Sequence, residues 1–403
     1  MTINNENKKL NVPNLRFPEF QGEWEKCKLE DVMNFSTTRI NSSELNEDNY
    51  VSTENMLQDY QGIMEAKSVP EDVNVISYSC GDILISNIRP YLKKVWKATF
   101  NGGCSSDVFV LKANDNIESD YLHYVIANDK FINFVMSGAK GVKMPRGDKK
   151  QMKTYSLSLP QIQEQKKIGK MLSLLDERIA TQNKVIDKLQ SLIKGIADNL
   201  LDNPLWEKTY LRSFMQFFST NSLSWEQLSY EEGEIRNLHY GLIHGFQTRG
   251  INSASLPMIK NEAVPKQYTL CQVGDVAFAD ASEDTGEIAK SVEFVDTIEG
   301  DTICGLHTIH GRDIKNRTVV GFKGFTFNSR YFHNQIKRLA QGTKVFSITT
   351  NNLSSCYVYL PDLDTQTVIV RLLKSYEEQL IIDRMILKQY EKQKQYLLRQ
   401  MFI

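Results

Sequence analysis

Residues 160–201 carry the sequence pattern that most limits how this chain can fold. Within it Gln182 is the one polar member of two interleaved seven-residue series. The pattern predicts one helix of about 60 Å that packs along a left-handed coiled-coil seam. The apolar members, at alternating spacings of four and three, are Ile168, Leu172, Leu175, Ile179, Ile186, Leu189, Ile193, Ile196 and Leu200.

The same pattern returns 201 residues later, behind Leu360-Pro361, at the end of the chain. Between the two copies, Trp206-Glu207-Lys208 repeats Trp24-Glu25-Lys26 at an offset of 182 residues, and Gly274-Asp275-Val276 repeats Gly81-Asp82-Ile83 at an offset of 193. The whole chain is therefore an internal tandem repeat whose globular parts differ by insertions. The second helical pattern consists of Ile369, Leu373, Tyr376, Leu380, Leu387, Tyr390, Leu397 and Met401.

The second helix has Asp383 and Lys394 where the first has Gln182 and Ile193. Buried polar groups fix the register of a helix pair, so these residues favour a specific pairing of the two helices. Antiparallel pairing returns the second helix toward the first globular part, which predicts a pseudo-twofold, circular arrangement. The predicted helix-pairing residues are Ile168, Leu172, Leu175, Ile179, Ile186, Leu189, Ile193, Ile369, Leu373, Leu380, Leu387 and Leu397.

The globular parts have the mixed composition of α+β domains. Short apolar runs such as residues 83–85 and 108–111 are separated by turn residues, which is typical of strands, whereas residues 121–136 have helical spacing. A chain of 403 residues is too long for one ordinary core. We therefore predict an N-terminal arm at 1–22, a first globular domain at 23–159, a long helix at 160–203, a second globular domain at 204–360 and a second long helix at 361–403.

Composition excludes several other classes of protein. No apolar run is long enough to span a membrane and the first residues form no signal peptide, so we expect a cytoplasmic protein. Six cysteines without a CxxC pair indicate reduced thiols rather than a disulfide or zinc framework. Cys304, His307 and His310 have spacings that a metal could use, but the sequence offers no fourth ligand. A packed strand is the favoured interpretation and a metal site the alternative.

Two domains held apart by a stiff spacer have the geometry needed to contact a long object at two points, and duplex DNA is such an object. The net charge of −1 excludes a uniformly basic surface, so the cations must cluster. Clusters of Lys and Arg with glycine and aromatic residues can follow phosphates, and polar side chains can read bases. The predicted DNA-binding residues are Arg89, Tyr91, Lys93, Lys94, Lys140, Lys143, Arg146, Lys149, Lys150, Arg236, His239, Tyr240, His244, Arg330, Arg338 and Lys344.

With these residues in place, the whole chain resembles the specificity (S) subunit of type I restriction-modification enzymes. The resemblance rests on the two Leu-Pro helix starts at 159–165 and 360–366, and on signature segments in both domains. One departure is Thr365, where the family favours Glu, which affects only a helix-capping interaction. The signature segments are residues 14–18, 22–24, 81–86, 89–91, 274–284, 305–308 and 340–344.

The resemblance implies that each globular domain reads one half of a split DNA sequence, while the helices set the unread spacer and dock two modification (methyltransferase) subunits. It also implies restriction (endonuclease/translocase) subunits as partners. No cofactor is expected in this chain: S-adenosylmethionine and ATP with Mg are expected on the partners, and the chain itself has no methylation motif or Walker A loop. The alternatives are a coiled-coil scaffold whose domains bind proteins and a self-sufficient methyltransferase.

Overall fold

A computed structural model of the chain describes residues 10–246, 249–296 and 300–403. Residues 1–9 of the predicted N-terminal arm lie outside this description. The chain divides into two compact units, a first unit of residues 1–183 with 386–403 and a second unit of residues 184–385. Each unit thus contains one half of each long helix, whereas the predicted division treats the helices as segments of their own.

The first unit contains two four-stranded sheets and a two-stranded one. The strands are β1 (Glu25–Lys28), β2 (Met33–Phe35), β3 (Arg39–Asn41), β4 (Tyr50–Val51), β5 (Asn74–Tyr78), β6 (Ile83–Ser86), β7 (Val95–Lys97), β8 (Gly102–Cys104), β9 (Val108–Ala113) and β10 (Ser156–Leu159). The helices are α1 (Leu29–Val32), α2 (Ser119–Ile126), α3 (Asp129–Ser137), α4 (Lys149–Lys153) and the first half of α5 (Ile162–Leu201). The sheet orders are β2-β9-β6-β7, β3-β5-β8-β4 and β1-β10.

The second unit has the same plan with additional short strands. Its strands are β11 (Glu207–Tyr210), β12 (Met215–Phe218), β13 (Leu228–Ser229), β14 (Arg236–Leu238), β15 (Gly250–Ile251), β16 (Met258–Ile259), β17 (Val276–Ala279), β18 (Ala281–Ser282), β19 (Ser291–Phe294), β20 (Thr302–Cys304), β21 (Thr308–Asp313), β22 (Phe346–Ser347) and β23 (Tyr357–Leu360). Its helices are the second half of α5, α6 (Tyr240–Gly245), α7 (Phe322–Thr326), α8 (Arg330–Leu339), α9 (Thr350–Ser355) and the first half of α10 (Leu363–Met401). The sheet orders are β12-β21-β17-β19-β15, β13-β16-β14-β20, β11-β23 and β18-β22.

The predicted α+β class and the two long helices are confirmed. In the first unit, Ile168 and Leu172 near the start of α5 share a core with Leu397 and Met401 near the end of α10. In the second unit the opposite ends meet, because Leu201 shares a core with Ile369 and Leu373. Such pairing of opposite ends requires antiparallel helices. Every predicted helix-pairing residue is buried or half-buried. None of the helices in the described residues is long and apolar enough to cross a membrane.

One glutamine in each repeat fastens the start of a long helix to its domain. The amide nitrogen of Gln165 donates to the carbonyl of Pro160 at 2.8 Å, and its oxygen accepts from the backbone of Glu118 at 2.8 Å. Gln366 makes the matching bonds with Pro361 at 3.0 Å and Val319 at 3.0 Å. Both side chains are fully buried, so the direction in which each helix leaves its domain is fixed by satisfied polar groups.

The residue before each of these glutamines differs between the two repeats: it is Glu164 in the first and Thr365 in the second. The buried carboxylate of Glu164 accepts two hydrogen bonds from the guanidinium of Arg16, both at 2.8 Å. Arg16 belongs to the N-terminal arm, whose Leu15 also donates its backbone N–H to Gln400 at 3.0 Å. The second repeat has no such arm, and there Thr365 donates its hydroxyl to Asp362 at 2.8 Å. Glu164 is therefore the acceptor that holds the arm, whereas Thr365 makes a capping contact with Asp362 at the start of its helix, to which it also donates its backbone N–H at 2.8 Å.

Candidate nucleic-acid interface

Two basic segments that are distant in the first unit's sequence lie against each other in its fold. Residues 140–147, here called the first glycine loop, are closed by paired backbone hydrogen bonds between Lys140 and Arg146, at 3.0 and 2.9 Å. The loop packs on the segment after β6, because Arg89 donates to Pro145 at 2.8 Å and Gly147 donates to Asn87 at 3.0 Å. The predicted DNA-binding residues 89–94 and 140–150 thus belong to one surface.

Some cations of this surface are neutralised by neighbouring carboxylates. Lys93 lies 2.8 Å from Asp129, and Arg146 lies 3.4 Å from Asp107. Lys140 lies 3.3 Å from Asp148, whose pKa is lowered because it accepts hydrogen bonds from the backbone of Lys150 and from Lys140. These carboxylates hold the loop in place without removing the net positive charge of the surface.

Other cations of the same surface remain available for phosphates. Arg89, Lys143 and Lys150 are exposed, and their side chains make no hydrogen bond or ion pair with the described residues. Lys94 instead donates to the carbonyl of Thr53 at 2.6 Å, and burial lowers its pKa. The Lys149 ammonium lies 4.6 Å from the ring centroid of Phe109. Lys94 and Lys149 are thus engaged by neighbouring residues of the first unit. Tyr91 is exposed and adds an aromatic side chain to the surface.

The second unit has a loop of the same construction. Residues 341–348, the second glycine loop, are closed by paired backbone bonds between Gln341 and Ser347, at 2.9 and 2.8 Å. Ile348 donates to Asp280 at 3.0 Å, as Gly147 does to Asn87 in the first unit. Both loops turn at a glycine of positive φ, Gly141 at 96° and Gly342 at 126°. A Cβ at 342 would overlap the carbonyl oxygen of Val345, so only glycine fits this turn.

The predicted aromatic cluster of the second unit forms a row of rings. The rings of Trp225 and His239 lie 4.4 Å apart, those of His239 and Tyr240 lie 4.7 Å apart, and those of Tyr240 and His307 lie 5.3 Å apart. His239 is buried, its Nδ1 accepts from the backbone of Gly241 at 3.2 Å, and burial lowers its pKa. The neutral ring of His239 is thus a packing element between its two neighbours.

Two further predicted residues are anchored within the second unit, and a third is exposed. Arg236 donates to the carbonyls of Ala254 and Leu256, at 3.0 and 3.2 Å, so its guanidinium stabilises a turn. The Nδ1 atom of His244 lies 3.1 Å from the carboxylate of Glu287. Lys344 is exposed in the second glycine loop, at the position of Lys143 in the first. Of the predicted residues in this unit, Tyr240 is therefore the one whose ring packs against His307.

The remaining predicted residues, Arg330 and Arg338, belong to helix α8 and not to the glycine-loop surface. The backbone N–H of Arg330 donates to Asp198 on α5 at 2.8 Å. Its side chain lines a cleft of about 670 Å³ together with Lys194, Lys337 and Glu377. Arg338 is exposed in the last turn of α8. The structure does not bring this pair together with His239 and Tyr240.

The metal alternative involves a different set of side chains from the one the spacing indicates. Buried Cys271, Cys304 and His310 have ligand atoms within 4.8 Å of one another, whereas His307 points to Asp280, with 3.1 Å between Nδ1 and Oδ1. His310 already contacts the carboxylate of Asp275 at 2.7 Å. Three candidate ligands among the described residues are one fewer than a closed structural zinc site requires.

His307 is the functional candidate that the DNA-binding prediction did not include. A signal was present, because His307 belongs to the segment 305–308 that carries the family resemblance. The spacing to Cys304 and His310 drew attention to metal binding instead. Which of three nearby histidines faces outward depends on the turn before β21, where His307 has a φ of 53°. Sequence periodicity carries no information about such a turn.

Comparison with known proteins agrees with this architecture. Residues 21–191 match the model of the family described as type I restriction modification DNA specificity domain. The type I restriction enzyme MjaVIII specificity subunit of Methanocaldococcus jannaschii is 28% identical over 312 residues, which cover 73% of this chain and 72% of the relative. The putative MjaX specificity subunit of the same organism is 26% identical over 345 residues, covering 80% and 78%.

Two solved structures share the fold over nearly the whole chain. The type I restriction-modification S subunit from M. genitalium has a TM-score of 0.59 at 14% identity and covers 97% of this chain and 99% of its own. A chain from a structure on complex assembly and conformational transition of the type I system has a TM-score of 0.56 at 16% identity, covering 93% and 96%. With these matches the resemblance is confirmed: residues 21–191 match the type I restriction modification DNA specificity domain, and the chain as a whole is similar to the specificity subunits of type I restriction-modification systems.

Proposed function

We propose that each unit of this chain reads one half of a bipartite DNA target and that the long helices determine the length of the unread spacer. The observation that carries this proposal is the repeated glycine-loop surface, with Lys143 exposed in the first unit and Lys344 in the second. Two surfaces of equal construction but different side chains suit two half-sites of different sequence.

The chemistry of the loops supports a division of labour between phosphate and base contacts. Arg89, Lys143 and Lys150 in the first unit can neutralise phosphates, which supplies affinity that falls with salt. Side chains that project beside the loops can then meet base edges in the major groove. Residues Arg146 and His307 occupy these neighbouring positions, next to Asp107 and Asp280 respectively.

The helices offer apolar side chains for the modification subunits. In the second unit Leu192 on α5 and Val368, Ile382 and Met385 on α10 are exposed, although large apolar side chains are normally buried. In the first unit Leu174 on α5 is similarly exposed. We propose that these residues dock two methyltransferase subunits, and that restriction subunits join the same complex.

We propose that this chain itself performs no catalytic step. S-adenosylmethionine is proposed to bind the modification subunits, and ATP with Mg to bind the restriction subunits. Calorimetry of the purified chain alone should then show no binding of S-adenosylmethionine. Saturable binding would support a self-sufficient methyltransferase instead. The scaffold alternative has no support in the comparisons, since the relatives are specificity subunits.

Domain exchange tests the proposed function directly. Residues 24–159 are replaced by the corresponding domain of another specificity subunit, and the methylated sequences of cells with the assembled complex are determined. One half of the sequence should change and the other half should stay the same. An unchanged sequence, or a change in both halves, would refute the assignment of one half-site to each unit.

A further inference from the structure

His307 is the exposed member of the chain's six histidines, all of which lie in the described part of the structure. It directly precedes β21 and has a φ of 53°, a conformation that is uncommon for residues other than glycine. Such backbone conformations occur preferentially at functional sites, where neighbouring contacts maintain them. Neighbouring contacts are therefore expected to hold His307 in this conformation.

Both the side chain and the backbone of His307 are held by Asp280, which follows β17. The imidazole Nδ1 lies 3.1 Å from Oδ1 of Asp280, and the Asp280 N–H donates to the His307 carbonyl at 3.0 Å. An ionised carboxylate only accepts hydrogen bonds, so Nδ1 carries the proton. In the neutral ring Nε2 then presents a lone pair.

The surroundings orient that lone pair further. The ring of Tyr240 packs edge-on against the imidazole, with a centroid distance of 5.3 Å and an interplanar angle of 82°. Asp280 also accepts the N–H of Ile348 at 3.0 Å, so the imidazole lies beside the second glycine loop. A fixed acceptor next to a phosphate-contacting loop is the arrangement needed for base readout.

We infer that His307 reads one base of the second half-site. Its Nε2 accepts a hydrogen bond from the exocyclic amino group of adenine or cytosine in the major groove, where these bases present N6 and N4 donors. Asp280 is a positioning residue that fixes the tautomer and the ring. This inference rests on the proposed function, because it requires that the second unit contacts DNA.

The test compares the methylated sequences produced by complexes that contain His307→Ala, His307→Phe or the unchanged chain. Phe preserves the ring beside Tyr240 but lacks the acceptor. Both variants should lose discrimination at one position of the second half-site, by about tenfold or more. The first half-site should not change. His333→Ala is the matched control, since His333 lies on α8 and contacts the carbonyl of Thr285, and it should leave both half-sites unchanged.

Asp280→Ala should relax the same position, and should add little in the His307→Ala background because the two residues act as a unit. Thermal unfolding of each complex shows whether the complex is intact. If His307→Ala disrupts folding, the result for His307→Phe tests the role of His307. A second half-site that stays fully selective in the variants would overturn the role of His307. Failure of the proposed function would differ, because the unchanged complex would then modify no bipartite sequence.

Discussion

Arg16 and Glu164 show how one residue pair ties the N-terminal arm to the first unit. The Glu164 carboxylate is fully buried and depends on the Arg16 guanidinium for compensation. Arg16→Ala should therefore destabilise the first unit by about 3 kcal/mol, because it leaves a buried charge unpaired. The measurement is thermal unfolding of the purified chain. Lys167→Ala removes a contact with Glu19 on the exposed surface and should cost less than about 1 kcal/mol.

The second repeat suggests a rescue of that variant. Combining Arg16→Ala with Glu164→Thr places at 164 the residue found at 365, where no arm is present. The double variant should regain much of the lost stability, because no uncompensated charge remains. A double variant as unstable as Arg16→Ala would show that Glu164 is not the reason for the loss.

The exposed cations of the first glycine-loop surface predict a salt-dependent effect. Arg89→Ala and Lys143→Ala should each weaken DNA binding by the assembled complex for all sequences, and reduce the slope of log K against log salt by about 1. Lys26→Ala is the control, because Lys26 is exposed on β1, away from the loop. Fluorescence anisotropy at several salt concentrations measures the slope. An unchanged slope in the variant that combines Arg89→Ala with Lys143→Ala would exclude phosphate contact by these two residues.

Helix α10 carries an acidic side chain, that of Glu377, whose ionisation opposes folding. Burial raises the pKa of Glu377 to about 7, against an ordinary value of 4.5, although the Arg249 N–H donates to it at 3.3 Å. The folded chain therefore holds this proton more tightly than the unfolded chain does. Stability from this group is present below pH 4.5 and is lost as the pH rises to about 7.

Glu377→Gln should remove that loss while preserving the acceptor for Arg249. The variant should equal the unchanged chain near pH 4.5, and exceed it above pH 7 by on the order of 2 kcal/mol. Thermal unfolding across this pH range measures the difference. Glu378→Gln, at the exposed neighbouring position, should produce no such trend. If Glu377→Gln and Glu378→Gln change the stability in the same way across this pH range, the burial of Glu377 is not the cause of the pH dependence.

The long helices were predictable because heptad spacing records directly which face is buried, and Ile168, Leu172, Ile369 and Leu373 lie in the cores. The repeat was predictable for a similar reason, since Trp24 and its copy Trp206 keep their places beside their strands. The partner of Glu164 was not, because Arg16 is 148 residues away and carries no periodic signal. Nor was the outward direction of His307, which depends on a single turn.

For the whole molecule, the proposed function implies that the length of the two long helices sets the distance between the half-sites. Inserting one heptad after Asn183 in α5 and one after Met385 in α10 preserves the seam and leaves both compact units intact. Each helix gains about 10 Å, which corresponds to about three base pairs. Methylome sequencing should show a spacer lengthened by that amount between unchanged half-sites. An altered half-site would refute the role of the helices as spacers.

The proposed function requires that this chain reads a split DNA sequence with its two units. Methylome sequencing of cells that carry the unmodified chain with its modification subunits tests it most directly. We expect one methylated motif with two specified half-sites separated by a fixed number of unspecified bases. A single continuous motif, or methylation that does not depend on this chain, would contradict it.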